Sequence, residues 1–225
     1  MSNNVVLESW RQLFYFNNKA ADYVDCIGTM CRAIYNPDTR VLGVLYFDEE
    51  PQNPRVEWDQ YCRIYIANNR YVEGDTDDIT ELYDLLGRKG CDIDFDDPEW
   101  EGHEREILPT LCEEYRIKLV PLYASIHSNV AISTVPFNDR WDSGQIGWVW
   151  ASMDDPNITD DATYTKIIEG EVREYDMFLQ GDVYGIGVYD IQDDGSVDEY
   201  TVEEVWGFFG FDDAMEEMKR MMEKG

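Results

Sequence analysis

The chain has 225 residues, with 48 Asp and Glu against 18 Lys and Arg, for a formal charge of −30. That excess excludes general DNA or RNA binding, which is driven by counterions released as Lys and Arg meet phosphates, and it opposes docking on an anionic membrane face. No apolar run reaches the roughly 18 residues that a membrane span needs, while 44% hydrophobic and 14% aromatic residues supply the core that a disordered acidic chain lacks.

In chain order, Trp10, Leu13 and Phe14, then Tyr23, Val24, Ile27, Met30, Cys31 and Ile34, fall at helical spacing interrupted by Asn17 and Asn18, and Asn36-Pro37-Asp38 ends the pattern. Residues 41–47 and 61–67 are dense in β-branched and aromatic side chains and read as strands, joined by an acidic, proline-bearing link. Residues 73–104 then hold 13 acids against Arg88 and Lys89. Within them Asp78 can cap a short helix with the apolar face Ile79, Leu82, Leu85 and Leu86, closed by Gly87 or Gly90. A further helix fits 100–115, with Pro109 interrupting it or starting a second turn.

Charge almost vanishes between Arg116 and Trp141, where Asp139 is the one acid. Residues 117–126 and 130–135 alternate around a turn at His127-Ser128-Asn129 and read as a buried hairpin, followed by a loop over 136–145 and a strand over 146–151. Asp160, Asp161 or Thr163 can cap the next helix, whose stripe is Tyr164, Ile167, Ile168, Val172, Tyr175 and Leu179, with Gly181 as the stop. Residues 183–191 and 200–209 form a hairpin through Asp194-Gly195. The last helix, 212–224, starts acidic, ends with Lys219, Arg220 and Lys224, and has an apolar face of Phe211, Ala214, Met215, Met218, Met221 and Met222. With no repeat and no low-complexity linker, the reading is a single α+β domain over 1–225, a central, mostly antiparallel sheet with flanking helices.

Five cysteines, an odd number without a Cys-x-x-Cys pair, and no apolar leader segment after Met1 point to free thiols in the cytoplasm of a host cell. His103 and His127 are too few for a zinc site. The run 190–201 approaches the spacing of a calcium loop, but Thr201 stands where a bidentate Glu is needed, so a solvated Asp-Gly hairpin is the simpler reading. The second candidate, 92–100, lacks the required glycine and carries Pro98. Gly185-x-Gly187 leads into a strand, which fits close strand packing better than phosphate binding. The methionine face reads as core ahead of a docking surface. No catalytic residue, metal or cofactor is assigned.

Several strings look familiar: Ile132 to Trp148 around W-D-S-G-Q-I-G-W, Glu171 to Gly185 (E-V-R-E-Y-D-M-F-L-Q-G-D-V-Y-G), W-G-F-F-G at 206–210, and D-C-I-G-T-M at 25–30. In these blocks the chain resembles a family of uncharacterised proteins carried by phages, plasmids and integrative elements. The resemblance carries over no known activity and supplies a context, since such elements encode acidic proteins that block host defences, including anti-CRISPR and anti-restriction proteins. Together with the charge it leads to an expected function: an acidic nucleic-acid mimic occupying the basic groove of a host defence nucleoprotein or nuclease, with no direct contact to nucleic acid or membrane. The expected contact surface is Asp75, Asp77, Asp78, Asp92, Asp94, Asp96, Asp97, Glu99, Trp100 and Glu101, with Phe95 as a second aromatic anchor. Two further acidic blocks are Asp154, Asp155, Asp160 and Asp161, and residues 190–204.

Competing readings are an enzyme built on His127, Asp142, Ser143 and Gln145, or on Cys112 with His127, and a regulatory protein docking through its methionines. Adaptation to high salt also fits 27 Asp and 21 Glu beside 6 Lys, although halophilic acidity spreads evenly and here it is grouped.

Overall fold

The computed structural model describes residues 4–67, 72–75, 79–95, 97, 103–126, 129–138 and 142–223. The chain divides into two compact units, Met1–Gln52 with Gly181–Gly225, and Asn53–Gln180. The first unit begins with β1 (Val5–Leu7), α1 (Trp10–Phe16), α2 (Asn18–Ile27), β2 (Met30–Asn36) and β3 (Val41–Phe47). The second comprises α3 (Pro54–Glu57), β4 (Arg63–Ile66), α4 (Thr80–Arg88), α5 (Glu104–Glu114), β5 (Ile117–Ile126), β6 (Val130–Ser133), β7 (Ser143–Ser152) and α6 (Asp161–Gln180). The chain then returns to the first unit with β8 (Val183–Asp190), β9 (Glu203–Phe209) and α7 (Phe211–Met222). The fold is α+β, as expected, and its strand pairs are antiparallel, shared between a five-stranded and a four-stranded sheet.

In the first unit the order is β1-β2-β3-β8-β9. Successive residues of β3 face opposite ways: Leu42, Val44 and Tyr46 join α1 and α2 in one core, while Val41 and Leu45 join α7 in another. A strand covered by helices on both faces must be apolar throughout, which explains the unbroken hydrophobic run at 41–47. Met215, Met218, Met221 and Met222 are all buried on the second face, so the methionine stripe is core. Gly43 makes room for them, since a Cβ there would lie 2.5 Å from the Met222 sulfur.

The helical reading of 30–34 is corrected. Asn17 ends α1 and caps α2 by accepting from the Ala20 N–H at 3.2 Å, α2 stops before Gly28, and 30–36 runs as the strand between β1 and β3. Ala33 faces the α2 core and Ile34 the α7 core, an alternation that short apolar runs cannot distinguish from a helical stripe until the neighbouring strands are known.

In the second unit the order is β4-β7-β5-β6. Tyr164, Ile168, Val172 and Tyr175 of α6 pack on Leu122, Ala124, Val149 and Ala151. On the opposite face Ile117 and Trp150 pack with Leu82, Leu86, Leu108 and Cys112 of α4 and α5. Asp160 caps α6 by accepting from the Thr163 N–H at 2.9 Å. Residues 143–145, read as loop, extend β7, because they pair with Tyr123, Ala124 and Ser125. β6 ends at Ser133 and β9 starts at Glu203, each shorter than the sequence suggested. The expected cap at Asp78 lies outside the described residues.

Candidate functional site

The structure distributes the three acidic blocks very differently. In the first, Asp75 is withdrawn from the surface: its side chain is 4% exposed and held by the Arg55 guanidinium, with a further hydrogen bond from the Ile64 N–H at 2.7 Å. It is therefore no part of the expected contact surface. Asp92, Asp94 and Asp97 are exposed, after α4. Asp77, Asp78, Asp96, Glu99, Trp100 and Glu101 lie outside the described residues. Phe95 is half-buried and stacked on Tyr83 at 4.1 Å between ring centroids, so it is internal packing rather than a free anchor.

In the second block Asp154 accepts from Lys89 Nζ at 2.5 Å and from the Ser152 hydroxyl at 2.7 Å. These bonds, the one from Lys89 foremost, hold its carboxyl below the ordinary value. Asp161 pairs with Lys118 at 2.7 Å and Asp160 is the helix cap. Most of this block is occupied internally.

The third block is an ordered loop and strand. Asp193 pairs with Arg40, and Asp194 with Lys19 at 2.8 Å and the Ser196 hydroxyl at 2.6 Å. The hydrogen bond from Lys19, then those from Ser196, hold the Asp194 carboxyl well below the usual carboxylate range. Gly195, at φ +86°, makes the turn that the Asp-Gly pair predicted, and its carbonyl accepts from Asn17 Nδ2 at 2.9 Å. Glu199 and Glu203 stand exposed at the end of the loop and the start of β9. The two carboxylates at the centre of the calcium-like run thus face Lys19 and Arg40, and among the described residues no cluster of three or more His, Cys, Asp or Glu could hold a metal ion.

Two buried polar groups were not anticipated. In the second unit Arg55, its side chain 4% exposed, bonds Asp75, Gln60 Oε1 at 2.8 Å, Glu171 Oε2 at 3.1 Å and the Cys62 carbonyl at 2.8 Å. Glu171 in turn accepts from the Tyr61 N–H at 2.7 Å, the Cys62 N–H at 3.1 Å and the Cys62 thiol at 2.8 Å. Burial, then the Glu171 charge, push the Cys62 thiol far above its ordinary value, and burial pushes Cys112 up to about 12. Neither is a nucleophile at neutral pH, since the thiolate is the reactive form. The cluster fastens β4 and its approach to α6.

In the first unit the Tyr46 and Tyr189 hydroxyls lie 2.8 Å apart, and Tyr189 donates to Glu204 Oε1 at 3.0 Å. Burial raises both tyrosines well above the ordinary phenol value. Beside them Trp206 lies over Gly185, where a Cβ would be 2.3 Å from the indole, and next to Gly28. The close packing expected of Gly185 is met by a side chain from β9. Thus D-C-I-G-T-M, D-V-Y-G and W-G-F-F-G, far apart in sequence, meet at one indole.

Of the residues considered for catalysis, Ser143 and Gln145 are strand residues paired with β5, and Gln145 Nε2 donates to the Gly147 carbonyl at 3.2 Å. The Asp142 carbonyl accepts from the Ile126 N–H at 2.9 Å. His127 and Ser128 lie outside the described residues. A hollow of about 440 Å³ on the second unit is lined by Arg63 and Arg88 together with Glu81 and Asp84, charges that offset one another.

No family model, curated protein or solved structure matches this chain.

Proposed function

We propose that the protein is a non-enzymatic, acidic anti-defence protein of a mobile element, which occupies a basic nucleic-acid-binding surface of a host defence complex in place of nucleic acid. One observation carries the reading: residues 181–218, which span β8, β9 and most of α7, hold 12 acids and no Lys or Arg. Carboxylates fixed on regular elements keep their spacing when a cationic groove approaches, so less ordering entropy opposes association than for a flexible acidic tail. With 48 acids and 18 cations, at least 30 carboxylates have no cation of their own, and their field steers a basic partner from beyond contact distance. The resemblance of the quoted strings to proteins of mobile elements supplies the kind of partner.

The test is competition. A type I restriction complex or a CRISPR effector is titrated with the protein at several DNA and salt concentrations. Occupation of the groove predicts inhibition that excess DNA relieves and that weakens as salt rises, because screening shortens the reach of the charges. Inhibition that DNA cannot relieve, or no inhibition of any such complex, contradicts the reading.

A further inference from the structure

We infer that β9 is a strand-addition site, which pairs with an extended segment of the protein partner carrying Lys or Arg at alternate positions. The inference rests on the proposed function for the sign of the partner's charge, and on the sheet for everything else. β9 ends the order β1-β2-β3-β8-β9, and among the described residues it pairs with β8 alone. Its residues 203–207 are all exposed. An edge strand presents a row of backbone N–H and C=O groups that a further strand can satisfy.

The two edges of this sheet are unlike. β1 has three residues, of which Leu7 is buried, so it offers a partner about 10 Å. β9 has seven, about 23 Å, enough to hold a strand of ordinary length. It also carries an anchor. The register shift opposite Tyr184 and Ile186, with Gly207 at φ +85°, turns Trp206 onto Gly185, and the residue keeps 42% of its surface exposed. Tyr46 supports it from beneath, 5.7 Å between ring centroids. A half-exposed indole held on one side offers its other side to an apolar or cationic side chain.

Charge selects the occupant. Asp198, Glu199, Glu203 and Glu204 precede the indole, Asp212 and Asp213 follow it, and Glu204 is held in place by the Tyr189 hydroxyl. A second copy of the chain would bring the same acids against these, at −30 per chain, so self-pairing through this edge is opposed. Lys and Arg at alternate positions lie on one face of an incoming strand and meet Glu203 instead, while Glu204 on the opposite face stays with the Tyr189 hydroxyl, and the glutamates also discourage edge-to-edge aggregation.

The experiment uses the full chain and an octapeptide alternating Lys and Val, beside peptides of the same sequence N-methylated at alternate residues in either phase, which keep the charge but lose half of the strand-forming N–H groups. Affinity is read from Trp fluorescence and the site from amide hydrogen exchange. Strand addition predicts at least tenfold weaker binding of the peptide methylated in the phase that faces β9 than of the unmethylated one, slowed exchange across 203–209, and a tenfold loss in Glu203→Lys or Glu199→Lys, both at exposed positions. Equal binding of methylated and unmethylated peptides, or protection away from 203–209, overturns strand addition while the acidic-surface reading stands. Failure of every cationic peptide to bind at low salt overturns both.

Discussion

The two units are both strongly acidic, with 20 acids to 7 bases in the first and 28 to 11 in the second, yet they differ in how deeply they place paired carboxylates. The second unit buries two of them around one arginine and pairs others nearer the surface. Arg55 gathers Asp75 and Glu171, Lys118 takes Asp161, Lys89 takes Asp154, and Asp176 accepts from the Ile132 N–H at 2.7 Å. The first unit fills its interior with paired tyrosine hydroxyls and methionines and pairs Asp193 and Asp194 with Arg40 and Lys19 at the surface. Density of acid in sequence therefore does not identify a contact surface; the cations within reach decide which carboxylates are structural. By that criterion residues 190–204 are divided, since Asp193 and Asp194 are held by Arg40 and Lys19 while Glu199 and Glu203 stand exposed beside them, and 73–104 is a mixture as well.

The contrast breaks most visibly at Arg55. Arg55→Met leaves two carboxylates buried without their cation, and urea denaturation is expected to show a loss of about 3–5 kcal/mol. Lys19→Met, which removes the exposed partner of Asp194, is expected to leave the midpoint nearly unchanged. Glycines come next. A Cβ at Gly147 would lie 1.8 Å from the Tyr65 carbonyl oxygen, so Gly147→Ala must move backbone and is expected to cost ~3 kcal/mol. Gly185→Ala displaces the Trp206 ring at about 1–3 kcal/mol and shifts Trp fluorescence, whereas Gly43→Ala meets flexible methionines and costs about 1 kcal/mol or less.

A smaller effect has the opposite sign. Burial, then the Glu171 charge, raise the Glu174 carboxyl above its ordinary value of 4.5. A raised folded-state value stabilises the protein below the unfolded value and loses that contribution as pH rises through the folded one. Glu174→Gln is thus expected to stabilise the protein slightly at pH 7, by less than about 1 kcal/mol given partial exposure, seen as a small rise in melting temperature that vanishes below pH 4.5. Mass spectrometry after alkylation at neutral pH is expected to find exposed Cys26 modified and Cys62 and Cys112 protected until the chain unfolds.

What the sequence revealed follows from how local each signal is. The stripe of α6 and the runs at 117–126 and 41–47 were readable because period and burial coincide within a single element. β2 was misread because its strand character depends on β1 and β3, and β1, with three residues, carries too little pattern to be seen. Arg55, Asp75 and Glu171 lie 20 and 116 residues apart, a separation that leaves no local pattern, and Asp75 looked like one more surface acid in an acidic run. The Trp206 contact was half legible, since Gly185 announced a close approach without naming the ring that makes it.

Phage plating on a restricting or CRISPR-immune host, with and without the protein, tests the central claim most directly. The account predicts that the wild-type chain restores plating and that reversing Glu199 and Glu203 to Lys abolishes the effect while Arg40→Met, at an exposed pair in the same unit, does not. Unchanged protection by the Glu199→Lys/Glu203→Lys variant, expressed and folded as wild type, would contradict it.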